Sequence, residues 1–199
     1  MKWNQVFGGA FIGLCSIVHA HRSELAAQQP ATKPEFARTA LRELASIGIP
    51  DGTAIDDVSV LPHVANIALE SGDLEKARAY ATRTIDVVSR QEAFDPDPGL
   101  ALHLATMVLG RVALRLGDID NAKDLLLKAT DYGESPFLEI AGPSMLLASE
   151  LLRRGERTAV LSYLSRCARL WPTSDHRPEK WIYEIEHGGL PDFGDNLSF

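Results

Sequence analysis

Residues 98–130 constrain the fold more than any other stretch, because they predict two helices joined by a turn at Gly117. Asp97 followed by Pro98 is a helix start, since the acid can cap free N–H groups and proline at the first position loses no intrahelical hydrogen bond. The first helix contains the run LALHLATMVLGRVALRL, which is apolar around most of its circumference and therefore typical of a buried helix. Gly117 and Asp118 then end one helix and cap the next. A turn this short predicts an antiparallel helical hairpin.

The same pattern recurs on both sides of this hairpin. Gly72 and Asp73 join two predicted helices upstream, and Gly155 joins two more downstream. The turn glycines stand at positions 72, 117 and 155, so they are 45 and 38 residues apart. Longer joints at residues 91–97 and 131–141 separate the hairpins. The spacing is close to the 34 to about 47 residues of helical-hairpin repeats, which bury one continuous core when they stack.

The middle hairpin also carries small and turn residues at fixed spacing, namely Leu109, Gly110, Gly117, Asp118, Ala122 and Ala129. This set resembles the tetratricopeptide repeat (TPR). The last hairpin departs from the pattern, since Val160 and Cys167 stand where small residues are usual. The resemblance implies an all-α fold: a right-handed stack of about three antiparallel helical hairpins, a TPR-like solenoid, with flanking capping helices. The C-terminal part is similar to uncharacterised bacterial proteins, which implies no activity.

The N-terminus predicts a secretory signal peptide over residues 1–20. Lys2 is the only charge there, residues 6–18 are apolar, and Val18-His19-Ala20 has the small-residue pattern of a cleavage site. Thirteen apolar residues are short of the about 20 that span a membrane. We therefore expect an exported protein, periplasmic or secreted. Three alternatives stay open: an uncleaved anchor over residues 6–18, a lipid on Cys15, or an ordinary N-terminal helix of the stack.

The rest of the chain divides into three further predicted parts: a flexible linker over residues 21–33, a TPR-like domain over residues 34–190 and a C-terminal tail over residues 191–199. A capping helix is expected after Pro34 and another from Pro178 to His187, where Gly188 and Gly189 end it.

No catalytic or metal-binding motif is found. The acidic residues Glu92, Asp95 and Asp97 lack the glycine and distal glutamate of a calcium loop, so they predict a loop with a helix cap. His103 lies in an apolar helix and is interpreted as a hydrogen-bonded structural residue. Cys167 has no activating neighbour in the sequence and is interpreted as a small hydrophobe. We expect no cofactor and no enzyme; an envelope-associated hydrolase with its site in the groove is the alternative.

Charge argues against nucleic-acid binding. The chain has 20 Lys and Arg against 27 Asp and Glu, a formal net charge of −7, and no basic run. Nucleic-acid affinity depends on cations that neutralise phosphates. A membrane contact is expected only through an uncleaved or lipidated N-terminus.

A helical repeat stack usually binds a protein or peptide in the groove lined by its first helices. The groove residues predicted by the TPR resemblance are Asn66, Glu70, Met107, Arg111, Arg115, Met145, Ser149, Leu152 and Arg153. Arg111, Arg115 and Arg153 suggest an acidic or C-terminal peptide, because guanidinium groups bind carboxylates in a bidentate manner. The alternative is that these arginines face solvent or pair with Glu70 and Glu150. A further hypothesis is a structural subunit that self-associates through its tail.

Overall fold

The computed structural model describes residues 58–90 and 97–198, which contain helices and no strand. The α-helices of these residues are α1 (Leu61–Glu70), α2 (Leu74–Arg90), α3 (Pro98–Arg115), α4 (Ile119–Lys128), α5 (Pro136–Ala141), α6 (Leu146–Arg153), α7 (Arg157–Leu170) and α8 (Arg177–Glu186), followed by a 3₁₀ helix, Gly194–Leu197. The all-α prediction is confirmed for this part of the chain. The predicted signal peptide, linker and first capping helix, and the acidic residues Glu92 and Asp95, lie outside the described residues.

The predicted helix starts in the middle hairpin are confirmed. The carboxylate of Asp97 accepts a hydrogen bond from the Leu100 N–H at 2.9 Å, and that of Asp118 accepts one from the Asn121 N–H at 3.2 Å. Both bonds satisfy backbone donors that a helix leaves free at its first turn. Helix α3 is buried around most of its circumference, as its composition predicts.

The three predicted turns share one structure. Gly72, Gly117 and Gly155 have φ angles of 86°, 83° and 89°. After each glycine the next N–H donates to a carbonyl five residues back: Asp73 to Ala68 at 2.9 Å, Asp118 to Ala113 at 3.0 Å and Glu156 to Leu151 at 3.1 Å. This is the helix-ending motif that needs a residue with positive φ, which only glycine adopts at little cost. The repeated sequence signal thus corresponds to a repeated local structure.

Helix α3 lies at the centre of the described packing. It contacts α2 and α4, its neighbours in the chain, and also α1 and α6. It contributes to both larger apolar clusters, one with α1 and α2 and the other with α4, α6, α7 and α8. Gly110 allows the close approach of α3 and α6, since an added Cβ would lie 2.3 Å from Cδ2 of Leu147. The first helices of the three hairpins, α1, α3 and α6, are therefore consecutive neighbours.

One helix differs from the prediction. The sequence predicts only a joint over residues 131–141, but this segment contains α5. The Ser135 hydroxyl accepts a hydrogen bond from the Leu138 N–H at 3.2 Å, and Pro136 occupies the first turn. Asp97 reaches this helix too, because its second oxygen accepts from the Ser135 hydroxyl at 2.9 Å and from the Phe137 N–H at 3.1 Å. One carboxylate therefore caps two helices.

The C-terminal helix begins and ends within one residue of the prediction. Beyond it, the tail packs on its own chain. Phe193 is buried and meets the Trp181 ring edge-on, with 5.1 Å between the ring centroids. Within the described residues, no helix has the length and apolar character needed to cross a membrane.

Candidate functional site

The nine predicted groove residues lie on or just before α1, α3 and α6, and α3 contacts both of the other two helices. Five polar residues of these helices form a connected group, which we term the Arg111 cluster: Asn66, Glu70, Arg111, Arg115 and Glu150. Four members of the cluster are predicted groove residues, and Glu150 is the fifth. The sequence suggests it only as an alternative ion-pair partner.

Arg111 connects all three helices through one guanidinium group. Its side chain is 3% exposed. From α3, Nη1 donates to Oδ1 of Asn66 at 2.8 Å and Nη2 donates to Oε1 of Glu70 at 2.7 Å, both on α1. Nε and Nη2 donate to Oε1 of Glu150 on α6, at 3.0 and 2.7 Å. The planar donor fork of arginine suits such a multiple contact, which lysine could not reproduce.

The charges of the cluster balance, with two guanidinium groups against two carboxylates. Burial by itself lowers the pKa of Arg111, but the hydrogen bonds and charges of Glu150 and Glu70 outweigh it, so the pKa is raised and the charge is retained. Arg115 adds a longer contact, 3.7 Å from Nη2 to Oε1 of Glu150. The other oxygen of Glu150 is buried and accepts no hydrogen bond from the described residues. Among the described residues, Arg111 and Arg115 therefore bind Glu150 through Oε1 alone.

The remaining predicted groove residues divide by exposure. Met107, Met145, Ser149 and Leu152 are buried, and the side chains of the first two have no exposed surface. Arg115 and Arg153, in contrast, are exposed. Arg111 pairs with Glu70 and Glu150, which is the alternative that the sequence left open. The prediction that this surface binds a partner stays a prediction.

A second polar group lies around His103, which is fully buried. Its Nδ1–H donates to the Ala129 carbonyl at 2.7 Å, and Nε2 accepts from the Ser144 N–H at 2.9 Å. These two bonds require the neutral ring, because a charged ring has no acceptor. Burial lowers the pKa of His103 to about 4, although the hydrogen bond to Ala129 opposes this. The interpretation of His103 as a structural residue is confirmed: it ties α3 to the end of α4 and to the segment before α6.

Burial keeps one cysteine and two tyrosines neutral, namely Cys167, Tyr132 and Tyr163. Cys167 is fully buried, and burial raises the pKa of its thiol to about 12, so the reactive thiolate is not formed at neutral pH. The Tyr163 hydroxyl donates to the Ser144 carbonyl at 2.8 Å. The Tyr132 hydroxyl is buried without a hydrogen-bond partner among the described residues, and burial raises its pKa to about 12. No group of His, Cys, Asp and Glu that could hold a metal ion occurs within residues 58–90 and 97–198.

Comparisons of the chain with protein-family models, with curated proteins and with solved structures find no match. The resemblance to the tetratricopeptide repeat therefore stays a prediction.

Sequence reasoning missed one residue near the site. Asn196 is buried in the tail and binds the segment before α6. No periodicity or motif marks it, because its amide group binds two carbonyls more than 50 residues away and the side chain of Arg177.

We predict that Arg111→Met lowers the free energy of unfolding by about 3 kcal/mol or more, since removing one partner of a buried ion pair leaves the other uncompensated. Arg115→Met, the same change one turn further along α3, should cost less than about 1 kcal/mol because that side chain is 43% exposed. Urea denaturation of both variants measures the difference. Equal losses for the two variants would contradict the structural role of Arg111.

We also predict that His103 makes the fold acid-sensitive. Its pKa is about 4 in the folded chain against an ordinary 6.5, so the unfolded chain binds more protons between these values. Stability therefore falls as the pH drops from about 6.5 towards 4, by up to about 3 kcal/mol.

Urea denaturation between pH 7 and pH 4 tests this. His103→Gln should be less stable at pH 7 but should lose less on acidification than the wild type. His187→Gln, which removes an exposed histidine, should keep the wild-type dependence. An unchanged pH dependence in His103→Gln would show that other groups cause the acid sensitivity.

Proposed function

We propose that the chain is an exported scaffold for protein–protein interaction, which binds a peptide or protein partner across α1, α3 and α6. The observation that carries the proposal is the arrangement of charge at the ends of these helices. Glu70, Arg115 and Arg153 are the last residues of α1, α3 and α6, and all three are exposed. The Arg111 cluster holds the three helices beside one another. The result is a preorganised surface, which reduces the entropy lost on binding.

The proposal includes a TPR-like architecture, a right-handed stack of helical hairpins. Two observations support it. The three hairpin turns share one hydrogen-bonding pattern, and each first helix contacts the first helix of the next hairpin. Both features are expected when similar units stack in sequence, since each unit buries its apolar face against its neighbours.

The favoured partner is an acidic segment, recognised by Arg115 and Arg153. Both side chains are exposed, and Leu116 beside Arg115 adds an apolar contact, since it is 55% exposed. Guanidinium groups bind carboxylates through paired hydrogen bonds. Arg111 has a different role from the one that the TPR resemblance implies. Its Nε, Nη1 and Nη2 already donate within the chain, so it positions the surface rather than contacting the partner.

Export is the second part of the proposal and is supported by the sequence of residues 1–20 alone. Lys2, the apolar residues 6–18 and the small-residue pattern ending at Ala20 are the features of a cleaved signal.

Crosslinking mass spectrometry on protein expressed in its native host tests the proposal. We compare the wild type with Arg115→Gln/Arg153→Gln and with Arg78→Gln/Arg169→Gln, a matched control with the same charge change on the exposed faces of α2 and α7. The first double variant should lose at least about 90% of its partner crosslinks, because each of the two lost charge-assisted contacts weakens binding by up to roughly tenfold. The control should lose none.

The intact mass of the same samples tests export, since cleavage predicts a mature N-terminus at His21. Partner crosslinks that are equal in both double variants would contradict the proposed surface. A full-length mass in a soluble cytoplasmic fraction would contradict export, and the two outcomes are independent of each other.

A further inference from the structure

The C-terminal residues 190–198 fold back onto the chain that carries them, and we term them the C-terminal clasp. They follow α8 after an exposed connection at Gly188. The clasp is compact in itself. The Asp192 carboxylate accepts from the Gly194 N–H at 2.9 Å, and the Phe193 carbonyl accepts from the Asn196 N–H at 3.1 Å. It therefore lies on the protein as a short, locally structured peptide.

The first anchor of the clasp is aromatic. Phe193 is buried against the edge of the Trp181 ring, and the Trp181 indole N–H donates to the Asp192 carbonyl at 3.1 Å. Trp181 in turn lies beside Trp171, with ring centroids 6.2 Å apart. The edge-to-face contact between Phe193 and Trp181 stabilises this aromatic pair beyond the area that it buries.

The second anchor is Asn196, three residues further on. Its Nδ2 donates to the carbonyls of Ala141 and Pro143, both at 3.1 Å, and its own carbonyl accepts from the Met145 N–H at 2.7 Å. Its Oδ1 accepts from Nη1 of Arg177 at 3.3 Å. A buried asparagine with all of these groups paired gives geometric specificity, because any other side chain leaves several of the partners unsatisfied.

The Met145 bond links the clasp to the Arg111 cluster. Met145 directly precedes α6, and its own side chain does not cap the helix. At this start the Leu146 N–H donates a long hydrogen bond, 3.4 Å, to the Ser144 hydroxyl. Helix α6 has eight residues and carries Glu150. Helices this short are unstable without tertiary contacts. The clasp therefore supplies a contact on which the position of Glu150 depends.

Helix α8 also has contacts that do not involve the clasp. Ile185 is buried, the Trp181 ring lies beside Trp171, and Arg157 donates to the carbonyls of Ile185 and Gly188. Gly188 is exposed, and so is Leu190, at 64%. The chain between the anchored helix and the clasp is thus accessible.

We propose that the C-terminal clasp is a peptide ligand bound to its own chain, at a site that recognises an aromatic side chain and an asparagine three residues later. When bound, the clasp positions α6 and, through Glu150, the Arg111 cluster. When released, it leaves the site open to a segment of the same chemistry. The proposal is independent of the proposed function, because neither of its two tests needs a partner protein.

The first test uses the full chain with a protease recognition sequence inserted between Gly189 and Leu190. After cleavage, an isotope-labelled synthetic peptide of residues 190–199 should exchange into the site, as measured by native mass spectrometry. A peptide with Asn196→Ala should bind at least about tenfold more weakly, since it loses several hydrogen bonds. A peptide with Asp195→Asn should bind like the wild type, because that side chain is exposed. Failure of the wild-type peptide to bind would overturn the proposal.

Hydrogen–deuterium exchange on the uncleaved chain gives a second test that needs no cleavage. Asn196→Ala should speed exchange in residues 145–153 by about tenfold and leave α1 and α2 unchanged. Asp195→Ala serves as the control and should change neither. If α6 exchange is unaffected by Asn196→Ala, or if all helices lose protection together, the clasp is not a separable ligand that positions α6.

Discussion

The described structure depends on a buried guanidinium group. Removing a charge from water costs several kcal/mol, so Arg111 can lie between three helices only where carboxylate and amide oxygens meet its donors. Asn66 and Glu70 supply them from α1, and Glu150 supplies one from α6. Each N–H of the guanidinium group points in a fixed direction. A shift of α1 or α6 by one residue would therefore move its acceptor away and break the hydrogen bond. The Arg111 cluster therefore specifies how α1, α3 and α6 align, which apolar packing alone does less strictly.

The short helix α6 shows how this constraint spreads. It is held at its start and along its length by groups that are distant in the sequence. Arg111 binds Glu150 within the helix, the carbonyl of Asn196 accepts from the Met145 N–H before it, and His103 accepts from the Ser144 N–H. These contacts come from α3 and the C-terminal clasp. A surface built on α3 and α6 is consequently sensitive to substitutions in α3 and in the C-terminal clasp. The clasp is therefore part of the same structural unit as α3 and α6.

Local signals in the sequence predicted most of the helices. The cap at Asp97, the proline after it and the turn glycines act within a few residues, so they are recognisable without the fold. Helix α5 was missed because it is too short to show periodicity, although Ser135 and Pro136 are start signals. For Arg111, the sequence offered Glu70 and Glu150 only as alternative partners, and its burial depends on contacts between helices about 40 residues apart, which no local pattern reveals. The Nδ2 group of Asn196 binds backbone carbonyls of a distant segment, which no residue pattern reveals.

The central claim is that Arg111 and Glu150 couple α3 to α6, and a double-mutant cycle tests it most directly. Unfolding free energies of Arg111→Met, Glu150→Leu and the double variant give the coupling energy. We expect about 2 kcal/mol or more, because each single change leaves a charge in a poorly solvated position and the double change removes both. A coupling below about 0.5 kcal/mol, the value typical of an exposed surface pair, would contradict the account.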